Sequence, residues 1–196
     1  EFAPAGVAAL ALVNTVVASG AGLVSWMLIG RARAGKPTLV GAATGLVAGL
    51  VVITPAAGFV EPWAAVVMGF VVSPVCYFAV SFLKRKLGYD DALDAFGIHA
   101  VGGVTGGVLA GLFCVPELSW TDFGGLVYTG DPTLLGAQVL GILVTVVFVG
   151  VLDVVLGFAV KACFKGSLRV SEAEEAQGLD VAAHGESAYP AYVGLD

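Results

Sequence analysis

The sequence predicts an all-α membrane protein, a bundle of five transmembrane helices followed by a cytoplasmic C-terminal tail. Of its 196 residues, 58% are hydrophobic and 12% are charged, whereas soluble domains have about 45–50% and about 25%. The mean hydropathy is +0.96. A water-soluble fold of this size could not bury so much apolar surface. An ordinary soluble domain is therefore excluded.

Five apolar stretches are long enough to cross a bilayer, which takes about 20 residues of helix. They are Ala8–Gly30, Leu39–Gly58, Trp63–Leu83, Asp94–Val115 and Leu134–Val160. The first three contain no Asp, Glu, Lys or Arg. Because the runs are continuously apolar rather than alternating, they predict helices and not the strands of a membrane barrel.

Glycines recur every four residues in two of these spans, the second and the fourth. The stripes are Gly41, Gly45 and Gly49, and Gly103, Gly107 and Gly111, with Gly102 and Gly106 beside the latter. Small-residue stripes let helix backbones approach closely, so they predict helix packing. The alternative is that they form the flat wall of a narrow passage.

Thr54-Pro55 interrupts the second span near its expected outer end. A proline inside a helix frees a backbone carbonyl, and the Thr54 hydroxyl can supply a hydrogen bond there. Both a simple kink and a functional break fit this pattern.

His99 is the only histidine inside a span. If the fourth helix starts near Asp91, His99 lies about 12 Å in, close to the bilayer midplane. A titratable group at that depth is costly unless it meets a partner or lines a cavity. His99 is therefore predicted to line a pathway, the alternative being a neutral histidine hydrogen-bonded to a neighbouring helix. Asp153, inside the fifth span, must likewise face protein or water or be protonated, and its partner is not evident.

Three acids, Asp90, Asp91 and Asp94, precede His99 and follow the basic run Lys84–Lys86. Helix capping and surface ion pairing account for them. A second interpretation is that Asp91 and Asp94 also order the inner mouth of a channel or hold the tail.

Basic residues sort to alternate connections between the spans. All nine lie in the first connection, in the third, or after the fifth span: Arg31, Arg33 and Lys36; Lys84, Arg85 and Lys86; Lys161, Lys165 and Arg169. Basic residues in short loops mark the cytoplasmic side. We therefore expect a multi-pass protein of the cell membrane, with the N-terminus of this segment outside and the C-terminus in the cytoplasm.

The composition divides the chain into a membrane domain, residues 1–160, and a cytoplasmic tail, residues 161–196. The tail is acidic and poor in apolar residues, and Ser171 followed by acids predicts a helix start. The opening Glu1-Phe2-Ala3-Pro4 does not resemble a signal peptide, and it suggests the middle of a longer chain.

Charge and cysteine content exclude several classes of partner. The net charge of -6 argues against nucleic acid. The three cysteines are too few and too far apart for a disulfide framework or a zinc site. No metal, no cofactor and no catalytic residue is predicted.

Several segments together resemble the ammonium transporter family, specifically its C-terminal half. They are Ala11–Gly22, Gly35–Val60, Asp90–Phe113 and, in the tail, Gly166–Tyr189. The most specific motifs are Asp-x-x-Asp-x-Phe-Gly-x-His-x-x-Gly-Gly, beginning at Asp91, and the tail's Gly-Leu-Asp-Val followed by His-Gly-Glu. The resemblance covers nearly the whole chain.

This resemblance implies a fold and a set of residue roles. The fold is a trimer in which each eleven-helix subunit, built from two inverted five-helix repeats and one further helix, has its own hydrophobic pore. His99 matches the second pore histidine, Thr54 a pore-side threonine, Ala95 a position below the histidine, and Asp91 an acid at the inner end of its helix. In the tail, the resemblance points to regulatory residues: Leu179, Asp180, Val181, His184, Gly185 and Glu186.

The resemblance also implies what this chain lacks and what the whole protein does. The first pore histidine, the outer ammonium site and the phenylalanine gate belong to the N-terminal part, so the chain supplies only part of each pore. The implied function is ammonium or ammonia transport with a histidine proton relay, regulated by a PII-type signalling protein at the cytoplasmic face.

Two other functions are weighed against transport. The first is an ammonium sensor of the same fold that signals through its tail. The second is a membrane-embedded hydrolase or metalloenzyme. A single intramembrane histidine, without cysteines or carboxylates at ligand spacing, argues against the second.

Overall fold

The computed structural model describes residues 6–164 and 168–187, and within them every regular element is helical. Residue contacts divide the chain into two units, Glu1–Thr145 and Val146–Asp196. The last long helix runs through this boundary. The predicted division at residue 160 stays a prediction.

Five apolar helices form the body of the chain. They are α1 (Gly6–Ala34), α2 (Leu39–Ile53), α3 (Pro62–Phe78), α5 (Val101–Phe113) and α7 (Thr133–Cys163). α3 continues through a π turn, Ala79–Leu83, into α4 (Lys84–Leu87), and a second π turn, Phe96–Ala100, opens α5. Four of the resulting helices are long and apolar enough to cross a membrane. The prediction of an all-α membrane protein is confirmed.

The second span is shorter than predicted, because α2 has 15 residues and ends at Ile53 instead of reaching Gly58. Pro55 has no N–H to continue the helix, and its ring clashes with the preceding turn. The chain then runs through turns up to Val60. The Thr54 hydroxyl donates to the Leu50 carbonyl at 2.8 Å, as the sequence predicted.

Asn14, a fully buried residue of α1, holds this broken end of α2. Its side-chain amide donates to the carbonyls of Ala57 (2.8 Å) and Val60 (2.7 Å). Carbonyls beyond a helix end have no partner of their own. One polar side chain therefore satisfies two of them inside an apolar region.

The first three helices pack through glycines. A Cβ added at Gly22 in α1 would lie 2.5 Å from the Gly45 carbonyl oxygen in α2. A Cβ at Gly49 in α2, or at Gly69 in α3, would overlap the Ala18 carbonyl oxygen of α1. The packing interpretation of the first glycine stripe is thus confirmed at Gly45 and Gly49.

Two hydroxyls join α1 to α3. Pro74 lies inside α3 and leaves the Phe70 carbonyl without its helical donor. The Ser25 hydroxyl of α1 donates to that carbonyl at 2.8 Å. Ser73 donates in the opposite direction, to the Gly22 carbonyl at 2.7 Å.

The glycines of α5 face in different directions. A Cβ at Gly106 would overlap the Val52 carbonyl oxygen of α2, and one at Gly111 would lie 2.8 Å from the Leu135 Cα of α7. A Cβ at Gly103 would meet nothing within 4 Å. The second glycine stripe therefore packs at one end and is open at the other.

Short elements form the connections and the tail. A 3-10 turn (Pro116–Leu118) and α6 (Leu126–Thr129) link α5 to α7. In the second unit, α8 (Glu172–Gln177) precedes a π turn, Asp180–His184. The predicted helix start at Ser171 is confirmed by a full capping box with Glu174. Residues 165–167 and 188–196 of the predicted tail lie outside the described residues.

Candidate functional site

His99 lies in the π turn that opens α5. The predicted depth of His99 assumed that this helix starts near Asp91, and that assumption was wrong. The helix starts at Ala95–Phe96 and not near Asp91. His99 is therefore about 5 Å along the helix axis from that start, instead of about 12 Å. The start is later because the Asp91–Asp94 segment forms a turn of its own.

Asp91 caps this helix from outside it. Its two carboxylate oxygens accept hydrogen bonds from the backbone N–H groups of Ala95 (2.8 Å) and Phe96 (3.0 Å). The first N–H groups of a helix have no helical acceptor, and a carboxylate there also meets the positive end of the helix dipole. The predicted capping role is confirmed.

Asp94 forms the predicted ion pair with the basic run before it. Its Oδ1 accepts a hydrogen bond from the Lys84 ammonium at 2.8 Å, and the same ammonium donates to the Asp91 carbonyl. Asp94 has φ 56°, in the left-handed region. It is the only non-glycine residue in the described ranges with a positive φ.

The side chains of His99, Ala95 and Phe96 are exposed in this chain. Phe96 keeps 51% of its surface accessible, and its ring lies edge-on to the Tyr89 ring with 5.3 Å between the centroids. No hydrogen bond joins the His99 imidazole to another residue in the ranges 6–164 and 168–187. This exposed strip, His99 with Ala95 and Phe96, places a titratable side chain beside apolar ones on the surface of the chain.

Thr54 directly follows the last residue of the neighbouring helix, α2. α2 packs against α5, since Val51 contacts the Gly102 position and Val52 the Gly106 position. Thr54 is exposed, and its hydroxyl is used by the Leu50 carbonyl. The structure thus joins Asp91 to Ala95 directly and places Thr54 at the end of the adjacent helix, with no hydrogen bond to the other predicted residues.

Sequence reasoning missed several polar contacts close to the site. The Cys76 thiol lies 3.9 Å from the Ile98 carbonyl oxygen, within the distance of a weak sulfur hydrogen bond. The hydrogen bonds that Asn14, Ser25 and Ser73 make to distant backbone carbonyls were also missed. Their signal was available, because each is a polar residue in an otherwise apolar span and must find a partner.

The predicted tail residues are mostly exposed, including Leu179 and Val181 at 48% and 47%. Asp180 and His184 bound the π turn there, and the Glu186 N–H donates to the Asp180 carbonyl at 3.2 Å. Asp153 is exposed in α7. Within the part of the chain that the structure describes, no three His, Cys, Asp or Glu side chains gather as metal ligands would.

These features define a multi-pass α-helical membrane protein with a titratable side chain on an exposed apolar surface. The model of the Ammonium Transporter Family matches residues 2–189. The chain belongs to this family.

Individual relatives agree with the family match. The chain is 45% identical over 184 residues to an ammonium transporter of Bacillus subtilis, covering 94% of this chain and 45% of that protein. Its fold matches the crystal structure of Saccharomyces cerevisiae Mep2 with a TM-score of 0.80 and 36% identity, over 96% of this chain and 43% of Mep2. A structure described as a sensor Amt protein matches with a TM-score of 0.79 and 29% identity, over 91% and 42%. The chain thus spans less than half the length of the relatives it matches.

Proposed function

We propose that the full-length protein containing this chain carries ammonium or ammonia across the cell membrane through a hydrophobic pore, with His99 in the conduction path. The observation that carries the proposal is the exposed strip of His99, Ala95 and Phe96 in a member of the ammonium transporter family. The His99 imidazole has no hydrogen-bond partner in the described residues, so it is available to a partner from elsewhere. A second surface from the missing part of the protein would supply it and close a passage.

A histidine suits this task for a physical reason. Moving a bare ammonium ion through apolar walls costs many kcal/mol in lost hydration, whereas neutral ammonia crosses far more cheaply. Neutral imidazole donates from one nitrogen and accepts at the other, so it can pass a proton along. In this proposal His99 and the first pore histidine form the relay, Ala95 and Thr54 line the passage, and no covalent catalysis takes place.

The same helix start would set the inner mouth of the pore. Asp91 holds the first turn of the His99 helix through two backbone N–H groups. We place Asp91 at the cytoplasmic end, with the N-terminus of the segment outside, because all nine basic residues then lie on the cytoplasmic side. The protein would assemble as a homotrimer, one pore per subunit.

The tail is proposed to regulate this pore from the cytoplasm. Its residues Leu179–Glu186 are exposed or half-buried, as a docking segment would be. A PII-type signalling protein is the proposed partner. The likeness to a sensor Amt protein favours one alternative, in which the same fold detects ammonium and signals through this tail.

Flux measurements on the full-length protein in vesicles test the proposal. His99→Ala should lower ammonium flux or change its selectivity while trimer assembly, followed by size-exclusion chromatography, is retained. The matched control is Val104→Ala, another exposed side chain on a different face of the same helix, which should conduct as the wild type does. No flux from the wild-type protein, together with ammonium binding, would favour the sensor. Assembly that collapses in His99→Ala with unchanged flux per trimer would assign His99 to packing.

A further inference from the structure

We propose that Lys84 is a positioning residue for His99, tying the end of one π turn to the start of the other and so fixing the orientation of the imidazole. This inference rests on the proposed transport function, because it takes His99 to work in the conduction path. Lys84 acts through the helix start and not on the transported molecule.

The two π turns are in direct contact. A Cβ on Gly97, two residues before His99, would lie 2.5 Å from Val80 Cγ1 and 3.4 Å from the Val80 backbone nitrogen. Gly97 and Val80 belong to the second and the first π turn, respectively. π turns are rare and often lie at functional sites. The turn that carries His99 therefore packs at Gly97 directly against Val80 of the Ala79–Leu83 turn, where a side chain on Gly97 would not fit.

Lys84 links the two turns at their ends. It follows the first π turn immediately, and its ammonium reaches across the connection to the Asp94 carboxylate at 2.8 Å and to the Asp91 carbonyl. Asp94 holds a left-handed conformation, φ 56°, that side-chain-bearing residues adopt rarely. Such a conformation persists where its surroundings determine it. Among the described residues, Lys84 is the hydrogen-bond and ion-pair partner of the Asp94 side chain.

From Asp94 the link passes to the His99 turn through one backbone hydrogen bond of ordinary α-helical spacing. The Asp94 carbonyl accepts the N–H of Ile98, next to His99 in the chain, at 3.0 Å. The π spacing begins after it, where the Val101 N–H donates to the Phe96 carbonyl five residues back. A π turn holds one residue more per turn than an α-helix, and each residue turns the helix by about 100°. If the helix start lost its anchor and relaxed to α-helical spacing, the His99 side chain would point elsewhere. Lys84 prevents this by fixing Asp94.

The test uses the full-length transporter with Lys84→Met, Lys84→Arg and the matched control Lys86→Met. Lys86 lies on the same short helix and has the same charge, but its ammonium sits over the Phe82 ring at 5.7 Å. Two quantities are measured: ammonium flux as a function of concentration, and the rate at which diethyl pyrocarbonate modifies His99, read by mass spectrometry. The second reports the imidazole itself and does not depend on flux.

Lys84→Met should lower the maximal flux about ten-fold with little change in KM, since a misplacement of about 1 Å can cost roughly 100-fold in rate. It should also change the modification rate of His99. Lys84→Arg, which keeps the charge and the donor, should restore both, and Lys86→Met should match the wild type in both. Asp94→Asn, which weakens the same link from its other end, should shift both in the direction of Lys84→Met.

Equal His99 modification in the wild type and in both the Lys84→Met and the Asp94→Asn variants would overturn the positioning role. So would a Lys86→Met variant that behaves as Lys84→Met does. A wild-type protein that conducts no ammonium would refute the proposed function instead, while the modification rates would still decide whether Lys84 orients His99. Should Lys84→Met fail to insert, the comparison of Asp94→Asn with Lys86→Met decides it.

Discussion

The helices around Ala18 and the strip around His99 differ in how far their side chains are buried and hydrogen-bonded within this chain. Ala18 is fully buried, with Gly49 and Gly69 of two other helices against its backbone. Phe96, beside His99, remains half exposed although its ring contacts that of Tyr89, and the His99 imidazole has no hydrogen-bond partner within the described residues. Both regions consist of small or apolar residues, so composition does not separate them.

The difference separates packing that this chain supplies itself from an exposed surface that, in the proposed function, faces another part of the protein. In the three-helix packing, the side chains of Asn14, Ser25 and Ser73 all donate to backbone carbonyls, while the Asn14 Oδ1 is buried without a hydrogen-bond partner among the described residues. The His99 strip leaves its titratable group unpaired within the described ranges. We infer that the proposed transport depends on the exposed His99 strip, and that the packing of the first three helices fixes the position of this strip.

The largest expected loss of stability comes from disrupting the packing of the first three helices at Gly49. Gly49→Ala puts a methyl group onto the Ala18 carbonyl, where the neighbour is backbone and cannot move aside. Overpacking of this kind costs about 1–3 kcal/mol, and backbone contacts lie at the upper end. The free energy of unfolding in detergent should fall accordingly.

Gly20→Ala is the matched control for Gly49→Ala. It lies in α1, two residues from Ala18, and a Cβ there meets nothing within 4 Å. The variant should be as stable as the wild type or slightly more stable, because alanine favours a helix over glycine. Equal stability of Gly49→Ala and Gly20→Ala would mean that the close helix approach is absent.

A smaller loss of stability is expected at Ser25, whose hydroxyl replaces the helical donor that Pro74 removes. Ser25→Ala leaves the Phe70 carbonyl without a donor, which should cost about 1 kcal/mol, because hydrogen bonds between membrane helices contribute about 0.6–1.7 kcal/mol. In a Pro74→Ala background the helix supplies its own N–H to that carbonyl, so Ser25→Ala should cost clearly less. A double-mutant cycle of unfolding free energies measures the coupling. Additive costs would show that the hydroxyl does not replace the missing helical donor.

The smallest effect concerns a carboxylate outside the packed region. Glu61 accepts hydrogen bonds from the Trp63 indole (2.7 Å) and the Tyr128 hydroxyl (2.8 Å) on one oxygen. These bonds, Trp63 first, hold the pKa of Glu61 below its ordinary value of 4.5. Because the folded pKa is depressed, the contribution to stability is present above pH 4.5 and is lost as the pH falls through the folded value.

Unfolding measured between neutral pH and acid pH should therefore show a loss that Glu61→Gln removes. Glu117→Gln, another carboxylate in a connection between helices, should leave the acid-induced loss as it is in the wild type. The Tyr128 hydroxyl, which donates to Glu61, also has a shifted pKa. Burial is the larger cause and the hydrogen bond to Glu61 the second, and together they raise the pKa of Tyr128 to about 12. An acid-induced loss of equal size in Glu61→Gln and the wild type would assign it to other carboxylates.

Much of this fold follows from the sequence, for identifiable reasons. Hydropathy located the apolar helices because a bilayer demands about 20 apolar residues in a row. Asp91 and Ser171 were predicted as caps because a helix start needs local acceptors, and the hydroxyl of Thr54 because a helix end leaves carbonyls free. These predictions depend on contacts between residues close in sequence.

The rest depends on contacts between distant residues, and there the sequence was insufficient. Gly103 and Gly106 look alike in the sequence, yet one is open and the other packs against Val52. The π turns were missed because the hydropathy of a span is the same in either helical spacing. The late start at Phe96 follows from the Asp94 turn and its Lys84 contact, ten residues apart in the chain.

The central claim, that the His99 strip lines a narrow passage, is tested most directly by the reactivity of a cysteine at position 95 in the full-length protein. The variants Ala95→Cys and Ala18→Cys, in a background without other cysteines, are treated with a small thiosulfonate and with a bulky maleimide. The claim predicts that Ala95→Cys reacts with the small reagent alone, and that Ala18→Cys, buried in the helix packing, reacts with neither. A position 95 that resists both reagents, or that accepts the bulky one as readily as the small one, would contradict it.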